Sequence, residues 1–257
     1  MKNYGIIMAG GKGTRLKPVT NIINKHLLNI YNKPMIFYPL SLLIYTGIKN
    51  ILIICNKKED EVLFRNILDA SRRKHNLKIN YKIQSNLGGG IAEGLILAKS
   101  FIEQCDKCLF ILGDNFFYGR LFPNLIKQYL NKKNKNSYIF LSSVSNPQDY
   151  GIAYFKKNKL TNIIEKPKNP TSNLAVTGLY LYNKNVLNIL SNIKPSKRNE
   201  LEITSVNNLL LKQKKLDCIK IGRGTVWFDL GTYENIYNCS EFIRILEKRQ
   251  GILISNL

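Results

Sequence analysis

No stretch of this sequence approaches the roughly 20 uninterrupted apolar residues that a membrane span requires. Met1-Lys2-Asn3-Tyr4 runs straight into an apolar segment without a cleavable signal, so a cytoplasmic location and no membrane partner are expected. Cysteine is sparse. Cys55, Cys105, Cys108, Cys218 and Cys239 are an odd number scattered through a large chain, which argues against a disulfide framework. Cys105-Asp106-Lys107-Cys108 has CxxC spacing, but it stands where a helix-like segment ends and a strand begins, and no second ligand pair accompanies it. Neither redox nor zinc chemistry is expected of it. Acidic residues are also few, 17 against 39 Lys and Arg, for a formal charge of +22. Such a charge raises nucleic acid as a partner. The lysines, however, are dispersed among asparagines and isoleucines, densest in Asn131-Lys132-Lys133-Asn134-Lys135-Asn136, and no aromatic-interleaved basic stripe is present to read bases. A solvated surface is the expected role, with no nucleic-acid partner.

What is present suffices for a large core: 44% of the 257 residues are hydrophobic, enough for one sizeable α/β domain or two small ones. Short apolar runs alternate with longer helix-compatible stretches, 5–9 then 35–46, 50–55 then 59–73, 79–84 then 91–104, and finally 108–112. That alternation predicts βαβ units, hence an α/β fold with a doubly wound, mostly parallel sheet and helices on both faces. Beyond about residue 137, shorter strand-like runs at 138–144, 151–155, 160–165 and 175–182 predict a smaller mixed or antiparallel extension, and 233–249 a final helix. One domain over 1–257 is expected, in which 137–232 completes a single site with 1–136, and 233–257 carries the last helix.

The first apolar run leads directly into Gly10-Gly11-Lys12-Gly13-Thr14-Arg15-Leu16. Glycines there let backbone N–H groups approach a polyphosphate, while Lys12 and Arg15 supply neutralising charge. The segment is not a Walker A loop, which needs GxxxxGK[ST], and Leu16 stands where GxGxxG needs its third glycine. P-loop ATPases and ordinary dinucleotide dehydrogenases are therefore not indicated. A tight strand-to-helix turn without ligand is the alternative reading of this segment alone.

With Lys25 soon after it, this run resembles the signature of the nucleotidylyltransferases that activate sugar phosphates. Further segments are similar, in the same order, to the thymidylyltransferases of that family: Asn32-Lys33-Pro34-Met35, Leu112-Gly113-Asp114-Asn115, Tyr150-Gly151, Ile164-Glu165-Lys166-Pro167, Ala175-Val176-Thr177-Gly178, Glu200-Leu201-Glu202-Ile203-Thr204 and Trp227-Phe228-Asp229-Leu230-Gly231-Thr232. Together they span nearly the whole chain. The resemblance implies a Rossmann-like sheet of the nucleotide-diphospho-sugar transferase type, with a nucleotide-binding first half and a sugar-binding second half. It implies transfer of a thymidylyl group from dTTP to α-D-glucose 1-phosphate, giving dTDP-glucose and pyrophosphate, as a first step toward dTDP-rhamnose and surface polysaccharide. It also implies a homotetramer.

Such a reaction brings one phosphate oxygen against the α-phosphorus of another anion, so charge repulsion is its first obstacle. Cationic side chains and a Mg²⁺ held by carboxylates relieve it. The resemblance assigns Asp114 and Asp229 to Mg²⁺, and Arg15, Lys25 and Lys166 to catalysis. For the nucleotide it implies Gly10, Gly11, Gly13 and Thr14 with Arg15 and Lys25, and further His26, Gln84 and Gly90. For the sugar it implies Asn115, Tyr150, Gly151, Glu165, Lys166 and Val176. Each Asp has an ordinary alternative, Asp114-Asn115 as a turn and Asp229 as a helix N-cap near Gly231-Thr232.

Some positions depart from the family pattern. His26 stands for a glutamine, Asn29 for a proline, Glu93 for a glutamine, Asn199 for a glycine and Leu230 for a threonine, and the glycine-rich segment 85–90 is one residue longer. These bear on the choice between dTTP and UTP, or another hexose phosphate, while the cations and carboxylates of the reaction remain. A catalytically silent or nucleic-acid-binding protein is the alternative from another class. In the family, residues beyond the Arg249-Gln250-Gly251 segment help form a second, regulatory nucleotide site with parts that match Tyr118-Gly119 and Arg223. As this sequence stops at Leu257, weak inhibition by dTDP-rhamnose is expected.

Overall fold

The chain opens with β1 (Asn3–Ala9), then a small hairpin of β2 (Asn29–Ile30) and β3 (Lys33–Pro34), and then α1 (Phe37–Tyr45). Next come β4 (Asn50–Cys55), α2 (Lys58–Lys74), β5 (Lys78–Ile83), the short α3 (Ile91–Leu97) and α4 (Lys99–Ile102), and β6 (Lys107–Leu112). β7 (Asn115–Tyr118), α5 (Phe122–Leu130), β8 (Ser137–Ser143), β9 (Gly151–Lys156), β10 (Lys159–Glu165) and β11 (Leu174–Asn183) follow. The chain ends with α6 (Leu187–Leu190), α7 (Ile203–Lys212), β12 (Leu216–Lys220), β13 (Val226–Asp229) and α8 (Tyr233–Gln250). This computed structural model describes residues 1–84, 89–196, 198–255 and 257.

The main sheet runs β5-β4-β1-β6-β11-β8-β12. All neighbours in it are parallel except β11, which is antiparallel to both β6 and β8. The β9–β10 hairpin branches from the start of β11 through the Ala175–Ile152 pair. β7 and β13 form a separate antiparallel ribbon that sets Asp229 opposite Asn115.

The apolar runs are continuous because both faces of the sheet are covered. In β1, Ile7 and Ala9 face α1, α2 and α5, whereas Ile6 and Met8 face α3, α4 and α7. β4, β6 and β8 split in the same way, with Ile53, Ile111 and Phe140 on one side and Ile54, Phe110 and Ile139 on the other, all fully buried. At about 1.5–3 kcal/mol for each buried aliphatic or aromatic side chain, these two layers supply the main driving force of folding. A third cluster, with Met35, Tyr38, Phe116, Leu230 and Ile243, packs α8 against the β7–β13 ribbon. Leu230, the residue in place of a threonine, is 1% exposed there.

Charge placement fits the helices. α2 carries Glu59, Asp60 and Glu61 in its first turn and Arg72, Arg73 and Lys74 in its last, matching the helix dipole at both ends. α8 is capped by Thr232, whose hydroxyl accepts the Asn235 N–H at 3.2 Å, and it stops at Gly251 in the left-handed region. The N-cap is therefore Thr232, not Asp229.

One expectation changes, and one strand appears that was not expected. The predicted helix 91–104 is two short helices, broken at Ala98. The strands after residue 137 form the mixed extension expected: β8 and β12 run parallel to β6, because β11 inserts between β6 and β8 in the opposite direction, and β9 and β10 pair antiparallel. β12 is a strand that Leu216-Asp217-Cys218-Ile219-Lys220 does not announce, since Leu216 and Ile219 are its only buried residues. All five cysteines are free, and burial pushes the Cys105 thiol up to about 12 and the Cys108 thiol well up too, so the CxxC pair is inert packing. No helix among the described residues is long and apolar enough to cross a membrane.

Candidate active site

The chain passes from β1 to β4 and β5 on one side, then returns to β6 on the other side of β1. At such a switch point the loops leaving adjacent strands diverge and open a crevice at their carboxyl ends. A cavity of about 810 Å³ lies there, bounded by the glycine-rich loop after β1, Asp114 after β6, the ends of β10 and β11, and Asp229.

Two glycines of the loop need positive φ, +109° at Gly11 and +58° at Gly13. Asn56, just past β4, grips Gly11 from both sides: its Oδ1 accepts the Gly11 N–H at 2.7 Å and its Nδ2 donates to the Gly11 carbonyl at 3.0 Å. Thr20 Oγ1 donates to the Gly13 carbonyl at 2.8 Å, and the Tyr233 hydroxyl to that of Leu16 at 2.8 Å. Leu16 anchors the turn in the core, while Lys12, Thr14 and Arg15 are exposed to the cavity. A β-carbon at Gly10 would fall 2.5 Å from Gln84 Oε1.

Asp114 and Asp229 are brought side by side by the ribbon, for Leu230 N–H donates to the Asp114 carbonyl at 2.8 Å. Lys25 Nζ forms an ion pair with the Asp114 carboxylate, and both side chains are nearly buried. Arg15 lies 4.0 Å from Asp229, and its guanidinium passes close over Gly231, so a side chain there would have to displace it. Burial would raise the Asp114 carboxyl, but the Lys25 charge and hydrogen bonds from Lys25 and Asn115 outweigh it and hold it well below the usual carboxylate range. For Asp229, burial and then the nearby Asp114 charge push its carboxyl up to about 6, against the pull of Arg15 and Lys25. Two carboxylates that repel each other, Asp114 buried and Asp229 half-buried, open toward a cavity, suit a hard divalent cation whose remaining ligands come from phosphate and water. No group of three or more acidic, His or Cys side chains able to hold a metal exists among the described residues.

On the opposite wall, Glu165 accepts the Thr204 hydroxyl at 2.6 Å, and a β-carbon at Gly151 would stand only 3.0 Å from Glu165 Oε2. Tyr150 stacks obliquely on Trp227 at 5.3 Å. Lys166 follows β10 at φ 46°, exposed at the rim, and its N–H donates to the Tyr150 carbonyl at 3.0 Å. β11 shifts register between Val176 and Tyr180, and the irregularity turns Gly178 N–H onto Asn115 Oδ1 at 2.9 Å. Trp227 Nε1 donates to the same oxygen at 2.6 Å, and Asn115 Nδ2 donates to Asp114 at 3.1 Å. The Asn115 side chain is thus largely committed to holding Asp114, Gly178 and Trp227 in place.

All the sequence-predicted residues line this cavity except His26. Gly90, at φ +90°, packs against the Leu201 backbone, and Leu201 N–H donates to the Gly89 carbonyl at 2.8 Å, so the loop before α3 is tied to the segment before α7. Segment 85–88, part of the lengthened glycine-rich stretch, lies outside the described residues. His26 is 1% exposed behind Gly113, whose β-carbon would meet the imidazole Cδ2 at 2.6 Å. Burial, then the Lys25 charge, push its ring down to about 3, so it is neutral and in the supporting layer, not at the cavity surface. Sequence reasoning misses Arg198, which lines the cavity and pairs with Glu202 at 2.7 Å and with Glu165 at 3.5 Å. Its neighbourhood in Arg198-Asn199-Glu200-Leu201-Glu202, so dense in charge beside an apolar helix start, is the available signal.

The family model for nucleotidyl transferases matches residues 4–245, and the chain belongs to that family. Among its relatives, it is 39% identical over 255 residues to a glucose-1-phosphate thymidylyltransferase of Neisseria meningitidis serogroup A, covering 98% of this chain and 86% of the relative. It is 38% identical to one of Mycobacterium tuberculosis, covering 98% and 85%. A structure described as a putative glucose-1-phosphate thymidylyltransferase of Bacillus anthracis in complex with sucrose superposes with a TM-score of 0.84 at 36% identity, covering 94% of this chain and 95% of that one. A UDP-glucose pyrophosphorylase complexed with UDP-glucose shares the fold, with a TM-score of 0.82 at 24% identity, 97% of this chain and 100% of that one.

Proposed function

We propose that this nucleotidyltransferase transfers a thymidylyl group from dTTP to α-D-glucose 1-phosphate, releasing pyrophosphate. The observation that carries the reading is the pair Asp114 and Asp229, set side by side among Lys25 and Arg15 at the mouth of the β1/β6 crevice. The glycine-rich loop cradles the triphosphate through backbone N–H groups, and Arg15 grips it with a planar, always charged fork. Lys25, released from Asp114 as the anions enter, neutralises charge next to the α-phosphorus. Lys166 and Arg198 hold the sugar phosphate from the opposite wall, so that its oxygen faces the α-phosphorus in line with the leaving pyrophosphate. Glu165 accepts sugar hydroxyl protons, a polar recognition that selects more sharply than apolar contact. Asp114 and Asp229 would hold Mg²⁺, which supplies Lewis-acid charge neutralisation when bound.

A pyrophosphate-release assay with glucose 1-phosphate and either dTTP or UTP tests this. dTTP is expected to be preferred by roughly tenfold, since one methyl group in a pocket discriminates by about 1–3 kcal/mol. A kcat/KM favouring UTP would reassign the nucleotide, and no turnover with either would reject the reading.

A further inference from the structure

Behind the cavity, one side chain outside the expected site joins three elements. Asn24 Nδ2 donates to Asp60 Oδ2 at 2.9 Å and to the Ala9 carbonyl at 3.1 Å, while its Oδ1 accepts the His26 N–H at 3.0 Å and faces His26 Nδ1 at 2.7 Å. Because the amide N–H groups are committed to two oxygens, the facing Nδ1 must carry the proton, leaving Nε2 as a bare acceptor without a partner among the described residues. Asn24 is 8% exposed and Asp60 2%, so each of these bonds is shielded from water. Only a side-chain amide provides two donors and two acceptors at this point; aspartate lacks the donors and serine the reach.

We infer that Asn24 is a positioning residue for Lys25 and that Asp60 is its anchor. Asn24 caps the short turn Lys25–Leu27. It thereby fixes that turn to the last residue of β1, immediately before the glycine-rich loop, and to the first turn of α2. Lys25 leaves the turn toward Asp114, so its ammonium is placed by bonds made one residue away. The inference rests on the proposed role of Lys25 at the triphosphate.

The test is a mutant cycle on the full chain, read as dTTP affinity by calorimetry with Mg²⁺ and as kcat with glucose 1-phosphate. Asn24→Asp sets a second carboxylate against Asp60 and is expected to weaken dTTP binding about tenfold. In a Lys25→Ala background the same change is expected to cost less than about twofold, since nothing remains to be positioned. Adding Asp60→Asn to Asn24→Asp returns an N–H between residues 24 and 60, though not one to the Ala9 carbonyl, and should recover part of the affinity, at least about twofold. Equal losses in both backgrounds, no loss in either, or no recovery with Asp60→Asn overturns the role. Asn24→Ala, which introduces no charge, goes through the same cycle, so that poor folding of the aspartate variant leaves the comparison standing. Wild-type protein that neither binds nor turns over dTTP would instead refute the proposed function, and the cycle would then be read with the nucleotide it does use.

Discussion

Asp114→Asn is expected to lower kcat by at least about 10²-fold, the loss typical of removing a group that supports transition-state charge. The change keeps the side-chain size and the acceptor for Asn115, so the loss reports the charge itself. It also strands Lys25, whose ammonium is paired with Asp114 in a nearly buried setting. Removing one partner of such a pair leaves an uncompensated charge, so the thermal midpoint should fall as well, by the equivalent of roughly 3–5 kcal/mol. The chain stays folded at room temperature, because a domain of this kind has about 5–15 kcal/mol in hand. Steady-state kinetics and thermal melts on the same preparation check both outcomes; near-normal kcat would remove Asp114 from the site.

Asp229→Asn is expected to lower kcat to a similar extent and to move stability the other way. Asp229 binds its proton more tightly in the folded chain, at about 6, than in an unfolded chain, because burial and Asp114 both disfavour its charge. Its contribution to stability is therefore fully present below the ordinary carboxylate value near 4 and lost as pH rises through about 6. Asparagine avoids that loss. At pH 7.5 the variant should melt a few degrees above wild type, roughly 1–3 kcal/mol, and the difference should fade below about pH 4. A variant that melts lower than wild type at pH 7.5 would show that Asp229 is not a strained carboxylate. Opposite stability effects with similar catalytic losses would separate the two carboxylates cleanly, as Lys25 already compensates one of them and leaves the other poorly balanced.

The sequence by itself determined β1, β4 to β6 and β8 to β11, and the chemical inventory. Asn50-Ile51-Leu52-Ile53-Ile54-Cys55 can only be a strand buried on both faces, since its residues are apolar at successive positions and its length is too short for a core helix. The glycines before Arg15 likewise announce a loop that needs positive φ, a demand local to the backbone. Only the tertiary structure decided which strands meet. Nothing local in Ala175-Val176-Thr177-Gly178-Leu179 tells that β11 enters between β6 and β8 antiparallel to both, because pairing direction depends on partners distant in sequence. The same holds for Asp114 and Asp229, which neighbour each other only through the β7–β13 ribbon and the packing of α8 upon it. His26 reads as a ligand-facing residue from its place beside Lys25, yet the approach of Gly113 buries it, and burial is a property of the assembled layers. Asn24 shows the limit most clearly: an asparagine in Ile22-Ile23-Asn24-Lys25 has no mark of its own, and it acquires a role only when folding delivers the carboxylate of Asp60 to its amide.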